Sequence, residues 1–174
     1  MKPVKIKGYY LCNFNPFSSD HIPTGVDKKI ISQIKAFNEE KINCEFIYCP
    51  YAKTKLRRGL GSLPLVSDGV EWPNLEKVKG ASFLYIRRPL YASREFNRFL
   101  INFKEENRDS LVIIELPSFP YDKEFSGKEM YFALRKDRKY RNKWKDSVDY
   151  IADLSGSSEI FNIKTLPIIN GIDL

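Results

Sequence analysis

The sequence predicts an α/β fold: a three-layer, Rossmann-like, doubly wound and mostly parallel sheet with helices on both faces. Three observations predict it. Apolar runs of strand length recur along the chain; several are continuous rather than alternating, as strands buried on both faces of a parallel sheet must be; and segments of helical periodicity lie between them. Strand and helix in alternation give βαβ units with right-handed crossovers.

Taken in order, the strand-like runs are "IKGYYLCNF" from Ile6, "CEFIYC" from Cys44, "FLYI" from Phe83, "LVIIEL" from Leu111, "YIADL" from Tyr150 and "LPII" from Leu166. A first helix is expected from about Val26 to Glu40, with Val26, Ile30, Ile34 and Phe37 at helical spacing and Thr24 and Asp27 as its capping pair. A second, from about Ser93 to Glu106, carries Phe96, Phe99, Leu100 and Phe103 on one face. The third is long, about Lys128 to Val148, with Met130, Tyr131, Leu134, Trp144 and Val148 as its apolar members. The segment from Tyr51 to Gly80, punctuated by glycine and proline, reads as an irregular excursion with a short strand around Leu63 to Val66. Near the carboxyl end, Asn170-Gly171 is a strong turn signal without a return strand behind it.

The chain of 174 residues suits one domain with a full core. No run approaches the roughly 18 apolar residues of a membrane helix, and the amino terminus lacks the pattern of a secretory signal, so the expected location is the cytoplasm. Cys12, Cys44 and Cys49 are too widely spaced for metal ligation and sit inside apolar runs, which predicts buried, reduced thiols. With His21 as the only histidine, a zinc site and a Ser-His-Asp triad are both remote. The net charge of +7 points to an anionic partner: nucleic acid, a lipid surface or a phosphorylated small molecule.

Ligands of an open α/β sheet bind beyond the carboxyl ends of its strands. After the first strand a polar loop containing His21 ends in Thr24-Gly25 at a helix start, where free N–H groups and a glycine favour a phosphate. Lys28 and Lys29 add to that field, but neither a dinucleotide fingerprint nor a P-loop is present, and an ordinary helix cap explains the residues as well. The third strand runs into Arg87 and Arg88; alternation turns one toward the cleft and the other toward solvent or a carboxylate, and an ion pair with Glu115 is the structural alternative. Glu115 ends the most apolar strand and needs a partner there, and Tyr121 and Asp122 follow it. The run "RKDRKYRNKWK", Arg135 to Lys145, is either a solvated helix face or, with Arg135, Arg138, Lys139, Arg141, Trp144 and Lys145 turned outward, a surface for anionic lipid. No nucleic-acid recognition module is recognisable.

Four stretches in this order, "TGVDKKIISQIKAFNEEKINCEFIYC", "FLYIRRP", "VIIELPSFPYDKE" and "IKTLPIINGID", make the chain similar to the amino-terminal domain of a glycosyltransferase of the two-domain GT-B architecture, close to glycosyltransferase family 4. The resemblance implies that residues 1–174 form one Rossmann-like half and that a carboxy-terminal domain, absent here, holds the nucleotide sugar. It implies a retaining transfer of a hexosyl unit from a nucleotide-diphosphate sugar to a saccharide acceptor, lipid-linked, in cell-surface glycan synthesis at the inner face of the membrane, with no metal required and no nucleic acid as partner. Thr24 and Gly25 would approach the donor phosphates; His21, Arg87, Arg88, Glu115, Tyr121, Asp122, Asn170 and Gly171 would line the acceptor cleft. Many members carry histidine where this chain has Arg87, so no acid/base role transfers to that position. The contrasting expectations are a non-catalytic anion- or nucleotide-binding α/β module and a basic nucleic-acid-binding domain.

Overall fold

The computed structural model describes residues 6–19, 22–51, 60–63, 66–127 and 130–168. In chain order it forms β1 (Lys7–Cys12), α1 (Gly25–Glu39), β2 (Asn43–Tyr48), α2 (Leu75–Val78), β3 (Phe83–Arg87), α3 (Arg94–Glu106), β4 (Leu111–Leu116), α4 (Tyr131–Arg141), β5 (Tyr150–Asp153), β6 (Glu159–Ile160) and β7 (Ile163–Pro167). The strands make one sheet in the order β2-β1-β3-β4-β5-β7-β6, parallel except for β6 against β7. The predicted α/β doubly wound architecture is therefore the one adopted, and the first five strands run 2-1-3-4-5, the flavodoxin-like arrangement.

Residues in register on parallel strands share a face, so Tyr10, Phe46 and Tyr85 look one way and Tyr9, Leu84 and Val112 the other. The first face packs Tyr10, Cys12, Cys44, Phe83 and Tyr85 against Ile30 and Ile34 of α1. On the second, Leu11, Ile86, Val112 and Ile114 meet Phe96, Leu100 and Phe103 of α3, with Ala133 and Tyr140 of α4 closing the layer. Gly8 is required by this packing. It pairs with Phe83, and a Cβ added at Gly8 would lie 2.1 Å from the Phe83 ring. The three cysteines are free and buried, and burial pushes the Cys12 thiol up to about 11 and those of Cys44 and Cys49 to about 12.

Helix α1 starts on the predicted capping box: Thr24 N–H donates to Asp27 Oδ2 at 2.6 Å, and Asp27 N–H donates to Thr24 Oγ1 at 3.4 Å. The cap of α3 is Ser93, whose hydroxyl accepts from Phe96 N–H at 3.0 Å, and the predicted stripe of Phe96, Phe99, Leu100 and Phe103 is buried.

Helix α4 is shorter than predicted. It ends at Arg141, and a 3-10 turn at Trp144–Asp146 follows. The tightening carries Trp144 inward, where its ring meets Phe96 edge-on at 6.0 Å and Phe161 at 6.0 Å, and it is 0% exposed. The expectation that Trp144 faces a membrane is thus corrected: its ring belongs to the core.

The strand expected around Leu63 to Val66 is absent at Leu63 and Val66, while Pro64 and Leu65 lie outside the described residues. The backbone there is held by a side chain. Lys136, buried on α4, donates its ammonium to Gly61 O at 2.6 Å and Val66 O at 2.7 Å, so these carbonyls are satisfied without a neighbouring strand. Within the described part of the excursion, Tyr51 and Val70 form an antiparallel bridge, and Trp72 stacks on Phe96 and Phe99 of α3.

The β6-β7 hairpin carries no glycine. Its two turn residues, Phe161 at φ 55° and Asn162 at φ 61°, adopt the positive values of a type I′ turn. Phenylalanine is disfavoured there, and tertiary packing offsets the cost: its ring meets Phe119 at 5.7 Å and Tyr121 at 6.2 Å. The Asn170-Gly171 turn lies outside the described residues.

Because Trp144 fills the core between α3 and the β6-β7 turn, Trp144→Ala is expected to cost about 3–5 kcal/mol of unfolding free energy. Urea denaturation followed by far-ultraviolet circular dichroism checks it. A loss below about 1 kcal/mol would place the ring at the surface.

Candidate functional site

The chain leaves β1 for β2 on one side and then crosses to β3 on the other, so the connections after β1 and β3 diverge and leave a crevice at their carboxyl ends. Glu115 of β4 stands on the floor of this region. It is 0% exposed, and its register partner Arg87 donates to Oε1 at 2.9 Å. Lys29, reaching from the second turn of α1, lies 3.0 Å from the same oxygen.

Tyr10 and Gln33 complete the cluster. The Tyr10 hydroxyl lies 3.0 Å from Glu115 Oε2 and 2.9 Å from Gln33 Oε1, and Gln33 Nε2 donates to the Tyr85 hydroxyl at 3.4 Å. Burial first, and then the Glu115 charge, hold both tyrosines far above their ordinary ionisation range, so they remain neutral donors and acceptors. One carboxylate is therefore held by two cations and a tyrosine hydroxyl. Arg87 and Lys29 retain slight exposure, their side chains 11% and 18% accessible.

Beside this cluster an open cleft of ≈ 590 Å³ is lined by Phe14, Asn15, Ser18, Thr24, Val26, Asp27 and Tyr48. Its back wall is the amino-terminal turn of α1. Thr24 is committed to the cap, its hydroxyl donating to Asp27 Oδ2 at 2.6 Å, so the Asp27 carboxylate already sits on the positive end of the helix dipole. At Gly25 a Cβ would meet nothing within 4 Å among the described residues, so the backbone of the first turn is open to close approach. Asn13 fixes the loop base by donating Nδ2 to Cys49 O at 2.9 Å.

The residues expected in the cleft thus fall into two groups. Arg87 and Glu115 meet on the α1 face together with Lys29, whereas Arg88, Tyr121 and Asp122 belong to the opposite face and are corrected out of the cleft. The reason is strand alternation: Arg88 N–H donates to Glu115 O at 3.0 Å while its guanidinium stacks 4.0 Å from the Tyr121 ring centre and pairs with Glu124. Tyr121 is 1% exposed and donates to Asp137 Oδ2 at 3.1 Å. Asp122 accepts from Arg138 Nη2 at 2.7 Å and Arg141 Nη1 at 2.6 Å, and those hydrogen bonds hold its carboxyl below its ordinary value. His21, Asn170 and Gly171 lie outside the described residues.

The lipid-facing set divides in the same way. Arg135, Arg138, Lys139 and Lys145 are exposed, while Arg141 is mostly buried between Asp122 and Asp137 and is corrected along with Trp144. Tyr140, also part of the basic run, is buried. No helix among the described residues is long and apolar enough to cross a membrane, and no group of three or more His, Cys, Asp or Glu side chains among them is placed to hold a metal ion.

Sequence reasoning missed Tyr10, Gln33 and Tyr85. Parity was the available signal, since Tyr85 and Arg87 are two apart on one strand and Tyr10 is in register with Tyr85.

Glu115→Gln leaves Lys29 and Arg87 facing each other in a largely buried site, and a loss of about 3 kcal/mol in unfolding free energy is expected. Adding Lys29→Met to that background removes the repulsion and should recover part of the loss. Chemical denaturation of the single and double variants measures both, and a Glu115→Gln protein as stable as wild type would mean that water already screens the cluster. Comparison of the chain with protein-family models, with curated proteins and with solved structures finds no match.

Proposed function

We propose that this chain is the acceptor-side half of a retaining hexosyltransferase that uses a nucleotide-diphosphate sugar, its donor half being a second α/β domain. One observation carries the reading: beside the switch point between β1 and β3, the open backbone at Gly25 begins the helix whose Lys29 meets Glu115 and Arg87 at the strand ends. The four sequence stretches that resemble family 4 enzymes support it from a second direction.

In such a transfer the bond from the anomeric carbon to the diphosphate oxygen breaks, a bond to an acceptor hydroxyl oxygen forms, and the hydroxyl proton passes to a base. Negative charge grows on the departing diphosphate, and fixed donors that face it lower the barrier. Gly25 admits the diphosphate to the start of α1; Arg87 and Lys29, held in place by Glu115, supply positive potential at the mouth of the crevice. The Thr24–Asp27 box keeps the first turn of the helix rigid while this happens.

In the full-length transferase, Gly25→Val is expected to remove most turnover, because its side chain enters the space the diphosphate needs. The fold and melting temperature should hardly change, since nothing among the described residues lies within 4 Å of the new Cβ. Sugar transfer measured by product release, beside a thermal melt, tests this; wild-type turnover would return Gly25 to a simple helix start. The 174-residue chain by itself should give no calorimetric heat with uridine, guanosine or cytidine diphosphate sugars. Micromolar affinity for any of them would overturn the division of labour between the halves.

A further inference from the structure

The outward face of α4 differs in composition from the rest of the helix. At about 100° per residue, Tyr131, Phe132, Arg135, Arg138, Lys139 and Asn142 fall on one side, and all are exposed. Ala133, Lys136, Asp137 and Tyr140 fall on the other and are buried. The helix is thus anchored in the protein by one side and offers solvent a face with no acidic residue on it. Arg138 is paired with Asp122, but among the described residues no carboxylate pairs with Arg135 or Lys139. Lys143 and Lys145, exposed just beyond the helix, outnumber the exposed carboxylate beside them, Asp146, and so extend the positive field.

Two large rings stand at the amino-terminal end of this face. Tyr131 is 58% and Phe132 44% exposed, and their rings meet edge-on with centroids 5.6 Å apart. Exposed neighbouring aromatics beside unpaired cations are the composition of a helix that lies in a membrane interface, with rings at headgroup depth and basic side chains on the phosphates. A single-stranded nucleic-acid platform would need rings interleaved with the cations to stack successive bases, whereas here the two rings are paired with each other at one end.

We propose that this face docks on an anionic phospholipid surface, with Tyr131 and Phe132 as the anchors and Arg135, Lys139, Lys143 and Lys145 as the electrostatic contacts. The aromatic members of the basic run itself, Tyr140 and Trp144, take no part because the core holds them. The inference is independent of the transferase reading, since it uses a surface on the opposite side of the sheet from Glu115.

Vesicle co-sedimentation tests it, with phosphatidylcholine alone and with phosphatidylcholine containing phosphatidylglycerol. Wild type should sediment with the anionic vesicles only and be released as salt rises. Arg135→Gln/Lys139→Gln should weaken the partition by about 10-fold or more. Tyr131→Ala/Phe132→Ala should also weaken it, at unchanged net charge and with an unchanged thermal melt, which a purely electrostatic association would not show. Equal sedimentation of all three proteins, or equal binding to neutral vesicles, would overturn the proposal. So would binding of a duplex oligonucleotide that needs Arg135 and Lys139 while no vesicle is bound.

Discussion

The arrangement at the switch point depends on one carboxylate. Glu115 ends the most apolar strand of the sheet, and a buried carboxylate there carries a desolvation cost of several kcal/mol unless it is surrounded by donors. Arg87 comes from the neighbouring strand, Lys29 from the helix above and Tyr10 from the strand beyond. Satisfying one charge thereby fixes the relative placement of β1, β3, β4 and α1. The same demand that positions α1 also positions Gly25, four residues before Lys29, over the crevice.

On the other face the charges are arranged to cancel. Arg88 faces Glu124, Arg138 faces Asp122, and Arg141 bridges Asp122 and Asp137, so three guanidiniums meet three carboxyls around the Tyr121 ring. Burial raises the Asp137 carboxyl above its ordinary value, and the Ala92 N–H, Arg141 and the Tyr121 hydroxyl oppose that rise. Arg141 also lies 4.7 Å from the centre of the Phe161 ring, which ties this knot to the β6-β7 turn. It locks α4 and the segment after β4 onto the sheet.

The strands and the two long-striped helices were legible in the sequence because their burial is local: continuous apolar runs for β1 to β5, and a stripe three and four residues apart for α1 and α3. The Arg87–Glu115 pair was legible too, as one of two readings, since adjacent strands bring their ends together. The remaining members of the cluster were not, because Tyr10 meets Glu115 across 105 residues of chain and Gln33 joins through Tyr10 and Tyr85. Helix α4 misled for a different reason. Its interior positions include Lys136 and Asp137, charged residues that the core accepts because backbone carbonyls and Arg141 satisfy them, so the inward stripe does not look apolar. The hairpin at Phe161-Asn162 was invisible because its turn is stabilised by ring packing, with no glycine to mark it.

These pairings decide where the net charge of +7 can act. The knot around Tyr121 is neutral as a unit, and in the Glu115 cluster the carboxylate holds Arg87 and Lys29 in place. On the outward face of α4, Arg135 and Lys139 lack carboxylate partners among the described residues, and Lys143 and Lys145 stand exposed beside them. Potential from those residues projects into solvent beyond about 8 Å only weakly at physiological salt, so it acts on a surface in near contact and hardly on a small solute across the molecule. The crevice and the α4 face are therefore electrostatically separate. Arg87 and Lys29 lie on the α1 face of the sheet and the α4 cations on the opposite face, so the sheet keeps the two fields apart.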